Sequence, residues 1–600
     1  MDVAKRLVVM VAGLTILAGC LEERKPKSAA SEFSMSQAFP SVASERHQQS
    51  VTDQVQNPNL IRPRFVDVAS DADVTFTYFN DAVPERFFLP EVMGGGVAWL
   101  DFNNDGWLDL LVTNGCCWPD SERTPSDVIT RLYRNKGDGT FEDVTPAAGV
   151  GLQQFGQGVA VADFNADGFS DIYLTNYGPN RLFVNRGDGT FADVTEQSGT
   201  GDSSWSTGAS WFDADQDGDE DLYVVNYLDL TFENHRVCQY NGIAGYCGPG
   251  SFSGTPDRLY LNQGDGQFVE SSAALGLVGE NGKGMSVAVL DLDGDLLPEV
   301  YVANDMAANF LFTRSRTSPD KSATQPIYHN IAMSGGCAVS GAGQVEASMG
   351  IACADFDGDE TPDLFLTHFY SQKNTLYRNL GRLQFHDDSF GSRIAAHSMM
   401  FNGFGAIAFD FDRDEACDLF VANGHVLGPN LQPNEMTPQL LRNDGRGRFD
   451  DVSATAGACF AEKALGRGVA GADYDEDGDL DLAVANLHRP LTLLRNETET
   501  GRHYLGIQLR TRNRVAPVGG RVVVTTRDRR QVQSVVVGGS YLAVSDTRLL
   551  FGLKDAVEAD KVEVFWPSGR VDVLAHVATD RYWMILEGDE PRPVIHETLP

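Results

Sequence analysis

The sequence predicts an all-β fold: a seven-bladed β-propeller with calcium loops, followed by a small C-terminal β-sandwich. Three observations carry that expectation. An acidic nine-residue stretch recurs seven times along the chain, each time between apolar segments of strand length. Most copies are followed by a Gly-rich hairpin signal such as RLYRNKGDGTFEDVT (131–145) or RLFVNRGDGTFADVT (181–195), where Gly tolerates positive φ. Residues 501–590 lack the acidic stretch and instead alternate Val, Leu and Tyr between Gly and Pro, the pattern of an all-β sandwich. The 600 residues exceed what one hydrophobic core organises. With 84 acidic against 47 basic residues the net charge is -37, which argues against a nucleic-acid or anionic-lipid surface and for cation binding or an acidic exterior.

The N-terminal segment comes first. Lys5 and Arg6 precede an apolar run from Leu7 to Leu17 that is too short for a permanent membrane span, and Leu17-Ala18-Gly19-Cys20 follows. Small residues directly before a cysteine resemble the lipobox of bacterial lipoproteins, so 1–20 reads as a signal peptide with Cys20 as the lipidated first residue. An ordinary secretory signal is the alternative. Leu21 in place of Asp favours the outer membrane, and residues 21–63, polar and without periodicity, read as a flexible tether.

The repeats occupy 64–499. Each acidic stretch follows a Gly-containing apolar segment (GQGVAVA, STGASWF, GFGAIAF) and precedes a second strand (DIYLTN, DLYVVN, DLFVAN). A third strand, a turn and a fourth strand complete the unit, giving the four-stranded blade of a propeller. The seventh unit ends TLLRNETETGRHY without a fourth strand, whereas RFVDVAS (64–70) matches one. The N-terminal strand is therefore expected to complete the last blade and join the ends of the ring. Unit three carries an insertion from 227 to 257, and unit four is irregular after Phe310, with no assignable fourth strand.

Positions 1, 3, 5 and 9 of every stretch are Asp, Asn or Glu. The candidate ligands are Asp101, Asn103, Asp105 and Asp109; Asp163, Asn165, Asp167 and Asp171; Asp213, Asp215, Asp217 and Asp221; Asp291, Asp293, Asp295 and Glu299; Asp355, Asp357, Asp359 and Asp363; Asp410, Asp412, Asp414 and Asp418; Asp473, Asp475, Asp477 and Asp481. Hard oxygens at alternate positions of a tight loop suit Ca²⁺, up to seven structural ions, better than Mg²⁺ with its strict octahedron. An EF-hand would need a bidentate Glu at position 12, which here is Val112, Leu174, Val224, Val302, Leu366, Val421 or Val484. A catalytic pair needs carboxylates in unequal environments converging on a substrate, which seven like clusters do not supply. Position 6 is Gly in four loops but Leu296, Glu360 and Glu415 in the others. If that position needs positive φ, these three loops are expected to be weaker or rearranged.

Beyond Cys20 there are eight cysteines, too few for a disulfide scaffold. Cys238 and Cys247 close a short loop in the insertion and are the first candidates for a bridge. His235, His329, His386, His397 and His425 fall near loops or strand ends without a recognisable nucleophile or metal spacing. Arg186-Gly187-Asp188 spells an integrin-recognition tripeptide, but it falls inside the repeat's own hairpin. Trp566 reads as a core or hairpin-packing residue rather than a ligand platform.

The acidic repeats resemble FG-GAP/VCBS-type units of integrin-like propellers. HYLGIQLRTRNRVAPVGGRVVV (503–524), SYLAVSDTRLLFGL (540–553) and VEVFWPSGRV (562–571) are similar to the C-terminal signature of the ASPIC/UnbV, cartilage-acidic-protein-like family, through Asn513, Gly519, Gly520, Phe551, Gly552, Trp566, Pro567, Ser568 and Gly569. That resemblance implies calcium binding and adhesion, matrix or envelope contexts, and supplies no catalytic residues. The expected function is a calcium-binding, non-enzymatic envelope or cell-surface lipoprotein. It would act as a binding or adhesion scaffold for a protein or glycan, held to the membrane through its lipid only, without nucleic acid. The alternatives are an envelope hydrolase or lyase with a site at the propeller mouth, or a subunit of an envelope assembly. Residues 591–600 read as a tail.

Overall fold

The computed structural model describes residues 61–119, 121, 123, 128–315, 327–431, 433–512, 516–527 and 529–594. Cys20, the signal segment, the tether as far as residue 60, Asn513 and the tail from 595 lie outside the described residues.

The repeats fold as antiparallel four-stranded sheets, numbered here 1 to 7 in chain order. In sheet 2 the strands are Gly156–Ala162, Asp171–Asn176, Arg181–Asn185 and Phe191–Asp193, hydrogen-bonded in that order. The second strand is buried along its whole length, as its run of Ile, Tyr, Leu and Thr requires. In the third strand Leu182, Phe183 and Asn185 are buried, while Arg181 and Val184 are half-buried. Sheets 1, 3, 4, 5 and 6 repeat the order, beginning at Val97–Leu100, Ser206–Phe212, Gly284–Leu290, Ile351–Ala354 and Gly403–Phe409. Sheet 7 runs Leu465–Ala472, Asp481–Leu487 and Thr492–Asn496, and its fourth strand is Phe65–Asp67, with Phe65 opposite Asn496. In sheet 4 the strand that was not assignable from sequence is Tyr328–Asn330, paired with Phe310–Arg314 across a segment without the Gly-Asp-Gly signal.

First strands of successive sheets lie side by side, and the first strand of sheet 7 lies against that of sheet 1, so the seven form a closed ring. Apolar residues of neighbouring sheets share cores, for example Ala98 and Leu111 with Val159, Ile172 and Leu174. Glycines in or next to the first strands let the strands approach. A Cβ on Gly158 would sit 2.4 Å from the Thr207 carbonyl oxygen.

The C-terminal part consists of two further four-stranded sheets. One contains Tyr504–Arg510, Leu549–Gly552 and Tyr582–Leu586; the other contains Arg521–Thr526, Arg529–Ser534, Glu558–Phe565 and Val571–Ala578. Leu505, Ile507, Phe551 and Ile585 from the first share one core with Val522, Val524, Val562 and Val564 from the second. Trp566 is buried there, its indole N–H donating to Asp572 Oδ2 at 2.9 Å.

A loop of this C-terminal part, Val535 to Arg548, runs through the space enclosed by the first strands. Val537 and Gly538 pair antiparallel with Val289 and Ala288 of sheet 4, while Ala543 and Val544 pair parallel with Val97 and Ala98 of sheet 1. Between them, Ser540 Oγ donates to the Val469 carbonyl at 2.7 Å, and the Tyr541 hydroxyl donates to the Met93 carbonyl at 2.6 Å. Tyr541 and Leu542 are buried. The space enclosed by the first strands is thus filled by the chain's own SYLAVSD segment, whose backbone groups find partners on the inner strands.

At the opposite end of the ring, the insertion of sheet 3 forms a small hairpin, Cys238–Tyr240 with Ile243–Gly245, and Cys238 is disulfide-bonded to Cys247. It packs on the segment preceding sheet 1, where Arg86 pairs with Glu91 at 2.5 Å and Tyr246 donates to the other Glu91 oxygen at 2.9 Å. Arg467 is fully buried behind them. Its guanidinium donates to the carbonyls of Val92, Gly466 and His425.

Candidate metal centres

Each acidic stretch is the turn between the first and second strands of its sheet. In all seven, the position-1 carboxylate accepts the amide of position 6 through its Oδ2: Gly106 to Asp101 at 3.0 Å, Gly168 to Asp163 at 2.7 Å, Gly218 to Asp213 at 3.1 Å, Leu296 to Asp291 at 2.9 Å, Glu360 to Asp355 at 2.9 Å, Glu415 to Asp410 at 2.7 Å and Gly478 to Asp473 at 2.9 Å. Position 6 has positive φ throughout, 100° at Gly168 and 70°, 72° and 66° at Leu296, Glu360 and Glu415. The expected rearrangement of those three loops does not occur; the non-glycine residues adopt the same left-handed conformation. Their replacements have other contacts. Glu415 pairs with Arg529 at 2.7 Å and Lys554 at 2.9 Å, and Glu360 pairs with Arg530 at 3.0 Å, the three partners lying on or beside the C-terminal sheets.

Position 9 opens the second strand and is buried in every loop. Its carboxylate orients the third strand. The amide of the Asn that ends the third strand donates to it in six sheets, as from Asn185 to Asp171 at 2.8 Å and from Asn443 to Asp418 at 2.7 Å. The same Asn side chains reach the acidic loop of the preceding sheet at its position-2 carbonyl: Asn185 to Phe102 at 2.7 Å, Asn262 to Phe164 at 2.9 Å, Asn379 to Leu292 at 2.8 Å, Asn443 to Phe356 at 2.8 Å, Asn496 to Phe411 at 3.0 Å and Asn135 to Tyr474 at 3.0 Å. In sheet 4, where that residue is Arg314, the guanidinium and the Tyr328 hydroxyl take over, both donating to the Ala214 carbonyl. These Asn residues close the RLYRN and RLFVN segments, to which the local sequence alone assigns no role. Their recurrence at the last position of the third strand was the available signal.

The loops present the chemistry of a hard cation site. In five of them three carboxylates place an oxygen each within 4.8 Å of one another: Asp213, Asp215 and Asp221; Asp291, Asp293 and Asp295; Asp355, Asp357 and Asp359; Asp410, Asp412 and Asp418; Asp473, Asp475 and Asp481. In the first two loops position 3 is Asn103 or Asn165, which offers an amide oxygen instead. Buried oxygens of Asp101, Asp171, Asp357, Asp473, Asp475 and Asp481 have no hydrogen-bond partner among the described residues. Burial, reinforced by neighbouring carboxylates, pushes Asp171, Asp221 and Asp363 up to about 8. Clustered, buried and partly unsatisfied carboxylates are unfavourable without a neutralising cation, so these residues fit an ion held by positions 1, 3, 5 and 9.

Overlapping stretches of the chain, 101–174, 163–224, 246–302, 355–421 and 410–484, match the family described as FG-GAP-like repeat, and together they span over half of it. The chain belongs to the FG-GAP-like repeat family. Residues 510–592 match the family described as ASPIC and UnbV. The chain thus combines FG-GAP-like repeats with a C-terminal ASPIC and UnbV segment, and neither family is one of enzymes.

Cartilage acidic protein 1 of Xenopus tropicalis is 27% identical over 331 residues, covering 52% of this chain and 46% of that protein. Cartilage acidic protein 1 of Homo sapiens is 28% identical over 253 residues, 40% of this chain and 36% of that protein. The matched region thus spans less than half the length of these relatives. Among solved structures, a lectin of Agrocybe aegerita that recognises terminal N-acetylglucosamine covers 65% of this chain and 88% of its own at a TM-score of 0.33 and 14% identity. The rhamnogalacturonan lyase of Bacillus licheniformis covers 71% of this chain and 91% of its own at a TM-score of 0.27 and 12% identity. Likeness at those scores carries no functional reading.

The C-terminal sheets of this FG-GAP protein sit on the loop end of the ring. Besides the ion pairs of Glu360 and Glu415, Arg502 pairs with Asp412 at 3.2 Å, Arg548 pairs with Glu476 at 2.7 Å, and Tyr504 covers Gly478 so closely that a Cβ there would be 2.2 Å from the ring. The histidines singled out from sequence are dispersed: His329 and His386 are exposed in the fourth strands of sheets 4 and 5, His235 contacts the Arg86 carbonyl in the insertion, and His425 packs against Phe369. Asp188 of the Arg-Gly-Asp hairpin accepts both the amide and the hydroxyl of Thr190, as Asp138 does from Thr140 in sheet 1, which is hairpin chemistry common to the repeats. Among the described residues no helix is long and apolar enough to cross a membrane.

Proposed function

We propose that this protein is a calcium-stabilised, non-catalytic binding scaffold. Residues 64–499 form a seven-bladed β-propeller with up to seven structural Ca²⁺, and 500–590 form a β-sandwich docked on its loop face. The family memberships point to an adhesion-like scaffold rather than to catalysis. One observation carries the calcium reading: all seven loops keep the same hydrogen bond from position 6 to the position-1 carboxylate, whether position 6 is Gly, Leu or Glu. Loops that merely turned would not hold seven buried acids in one register against a cost of several kcal/mol each for unpaired burial.

The ligands are the 28 residues at positions 1, 3, 5 and 9. Each ion would neutralise a buried cluster and fix the start of the second strand, and through the third-strand Asn it would fix the next blade. The chain is exported and lipid-anchored through Cys20, at the bacterial outer membrane, and presents its faces to a protein or glycan. Metal analysis of protein dialysed against calcium buffer is expected to find several Ca²⁺ per chain. A metal-free protein that still melts at the same temperature as the calcium form would sink the proposal. Metabolic labelling with palmitate, lost in Cys20→Ser, tests the anchor.

A further inference from the structure

The acidic loop of sheet 6 (loop 6, Asp410 to Asp418) differs from the others in being neutralised by the protein's own cations. Asp412, its position 3, is buried, and guanidinium groups hold both of its carboxylate oxygens, Arg442 at Oδ2 at 3.0 Å and Arg502 at Oδ1 at 3.2 Å. Asp410 accepts the amides of Asp414 and Glu415 at 2.8 and 2.7 Å, and Asp418 accepts those of Asn443 and Phe411 at 2.7 and 3.3 Å. Every carboxylate oxygen at positions 1, 3 and 9 of this loop therefore has a donor.

Loop 7 is the opposite case. Asp473 Oδ1, Asp475 Oδ1 and Asp481 Oδ2, from the same three positions, have no hydrogen-bond partner among the described residues. Arg495, which stands in the third strand of sheet 7 where Arg442 stands in that of sheet 6, pairs with Glu497 at 2.5 Å instead of with the loop. In sheet 5 the corresponding Arg378 does reach Asp357 of its loop, but the other oxygen of that carboxylate keeps no partner. Loops 5 and 7 thus need a cation that loop 6 already has.

We propose that loop 6 is a calcium site of low affinity, closed by Arg442 and Arg502 and filled only as calcium displaces them, so that its filling is felt at the junction with the C-terminal sheets. The proposal rests on the calcium reading above and concerns the regulation of one of its sites. An ion bound through Asp412 would share that carboxylate with two guanidinium groups, and like charges repel strongly in a buried setting. Calcium must therefore compete with them, and its apparent affinity falls by the fraction of molecules in which they have let go. Arg502 carries the effect outward. It lies between the last strand of the ring, Thr492–Asn496, and the first C-terminal strand, Tyr504–Arg510. Its guanidinium also donates to the Asp412 carbonyl at 2.8 Å, and its own carbonyl accepts from Arg413 Nη1 at 3.1 Å, so this residue ties the junction to loop 6. By linkage, whatever weakens the hold of Arg502 on Asp412 strengthens calcium binding at this loop.

The test is calorimetric titration of the full chain with calcium after chelation, with hydrogen–deuterium exchange measured along the titration. The isotherm should show tight steps and then a last, weak one. Asp412→Asn should remove the weak step and keep the tight ones, whereas Asp475→Asn in loop 7 should remove a tight step. Arg442→Met and Arg502→Met, which keep apolar stems, should together strengthen the weak step roughly tenfold or more. Arg442 also holds the Ile61 carbonyl at 2.6 Å, so Arg502→Met alone, with a several-fold gain, is the variant to read if Arg442→Met fails to fold. Backbone exchange between Asn496 and Tyr504 should quicken as the weak step fills. Loss of a tight step in Asp412→Asn, absence of a weak step, unchanged or lowered affinity in folded Arg502→Met, or steady exchange at the junction would overturn the proposal. Those results leave the scaffold reading standing so long as calcium still binds and chelation still lowers Tm, so the two fail separately.

Discussion

Tyr582 donates its hydroxyl to Oδ2 of Asp473 at 2.8 Å, so a strand of the C-terminal sheets bonds the first acid of the seventh loop. The same oxygen accepts the Gly478 amide. Docking of the C-terminal part and the shape of the loop are therefore one structure. Tyr582→Phe should destabilise the protein by about 1.5 to 3 kcal/mol, the range for a hydrogen bond to a charged group, and lower its calcium affinity. Urea unfolding monitored by tryptophan fluorescence, with and without calcium, reads both.

The third-strand Asn residues couple neighbouring sheets. Asn185 joins its own backbone amide to Asp171 and its side chain to Phe102 of the preceding loop. Asn185→Ala leaves buried carbonyl groups without a donor, at a cost of about 1 to 3 kcal/mol. Asn185→Asp should cost more, because it also brings a further carboxylate to an acidic site. Thermal melts of the two variants rank these effects.

Position 6 yields opposite expectations at two loops of equal backbone shape. Leu296 holds φ at 70°, so Leu296→Gly should stabilise by up to about 1 kcal/mol through relief of left-handed strain. Glu415 has φ of 66° but also binds Arg529 and Lys554. Glu415→Gly loses these pairs and should show no gain. Equal gains in chemical denaturation would refute the role given to the ion pairs.

In chelator the protein should be less stable at pH 8 than at pH 5. Asp171, Asp221 and Asp363 are pushed by burial from 3.8 up to about 8 in the folded protein. Between those values the folded state binds more protons than the unfolded, so stability falls as pH rises through the window. Calcium should flatten the slope, since it replaces the protons on the same carboxylates. Melting curves from pH 5 to pH 8 with and without calcium check the sign.

Much of this was legible in the residues. The period of the acidic stretches gave the sheets, and RFVDVAS against the truncated TLLRN gave the closing strand pair Phe65–Asp67 with Thr492–Asn496. Local signals sufficed there because each unit is a chain of hairpins. The fourth strand of sheet 4 was not legible, since Tyr328–Asn330 follows a segment with no turn signature. Nor was the loop through the ring. SYLAVSD looks like any strand of the C-terminal part, and only tertiary pairing with Val97 and Val289 reveals where it goes. The expected rearrangement at position 6 failed for a similar reason: propensity argued against Leu, Glu and Glu in the left-handed conformation, and contacts with the C-terminal sheets accompany it at the two Glu positions.

The most direct test of the account is differential scanning calorimetry of the purified chain in calcium, after chelation with excess EDTA, and after calcium is restored. If seven calcium-filled loops hold the ring and its C-terminal sheets together, chelation should lower Tm substantially and restoration should recover it. Superimposable transitions in all three conditions would contradict it.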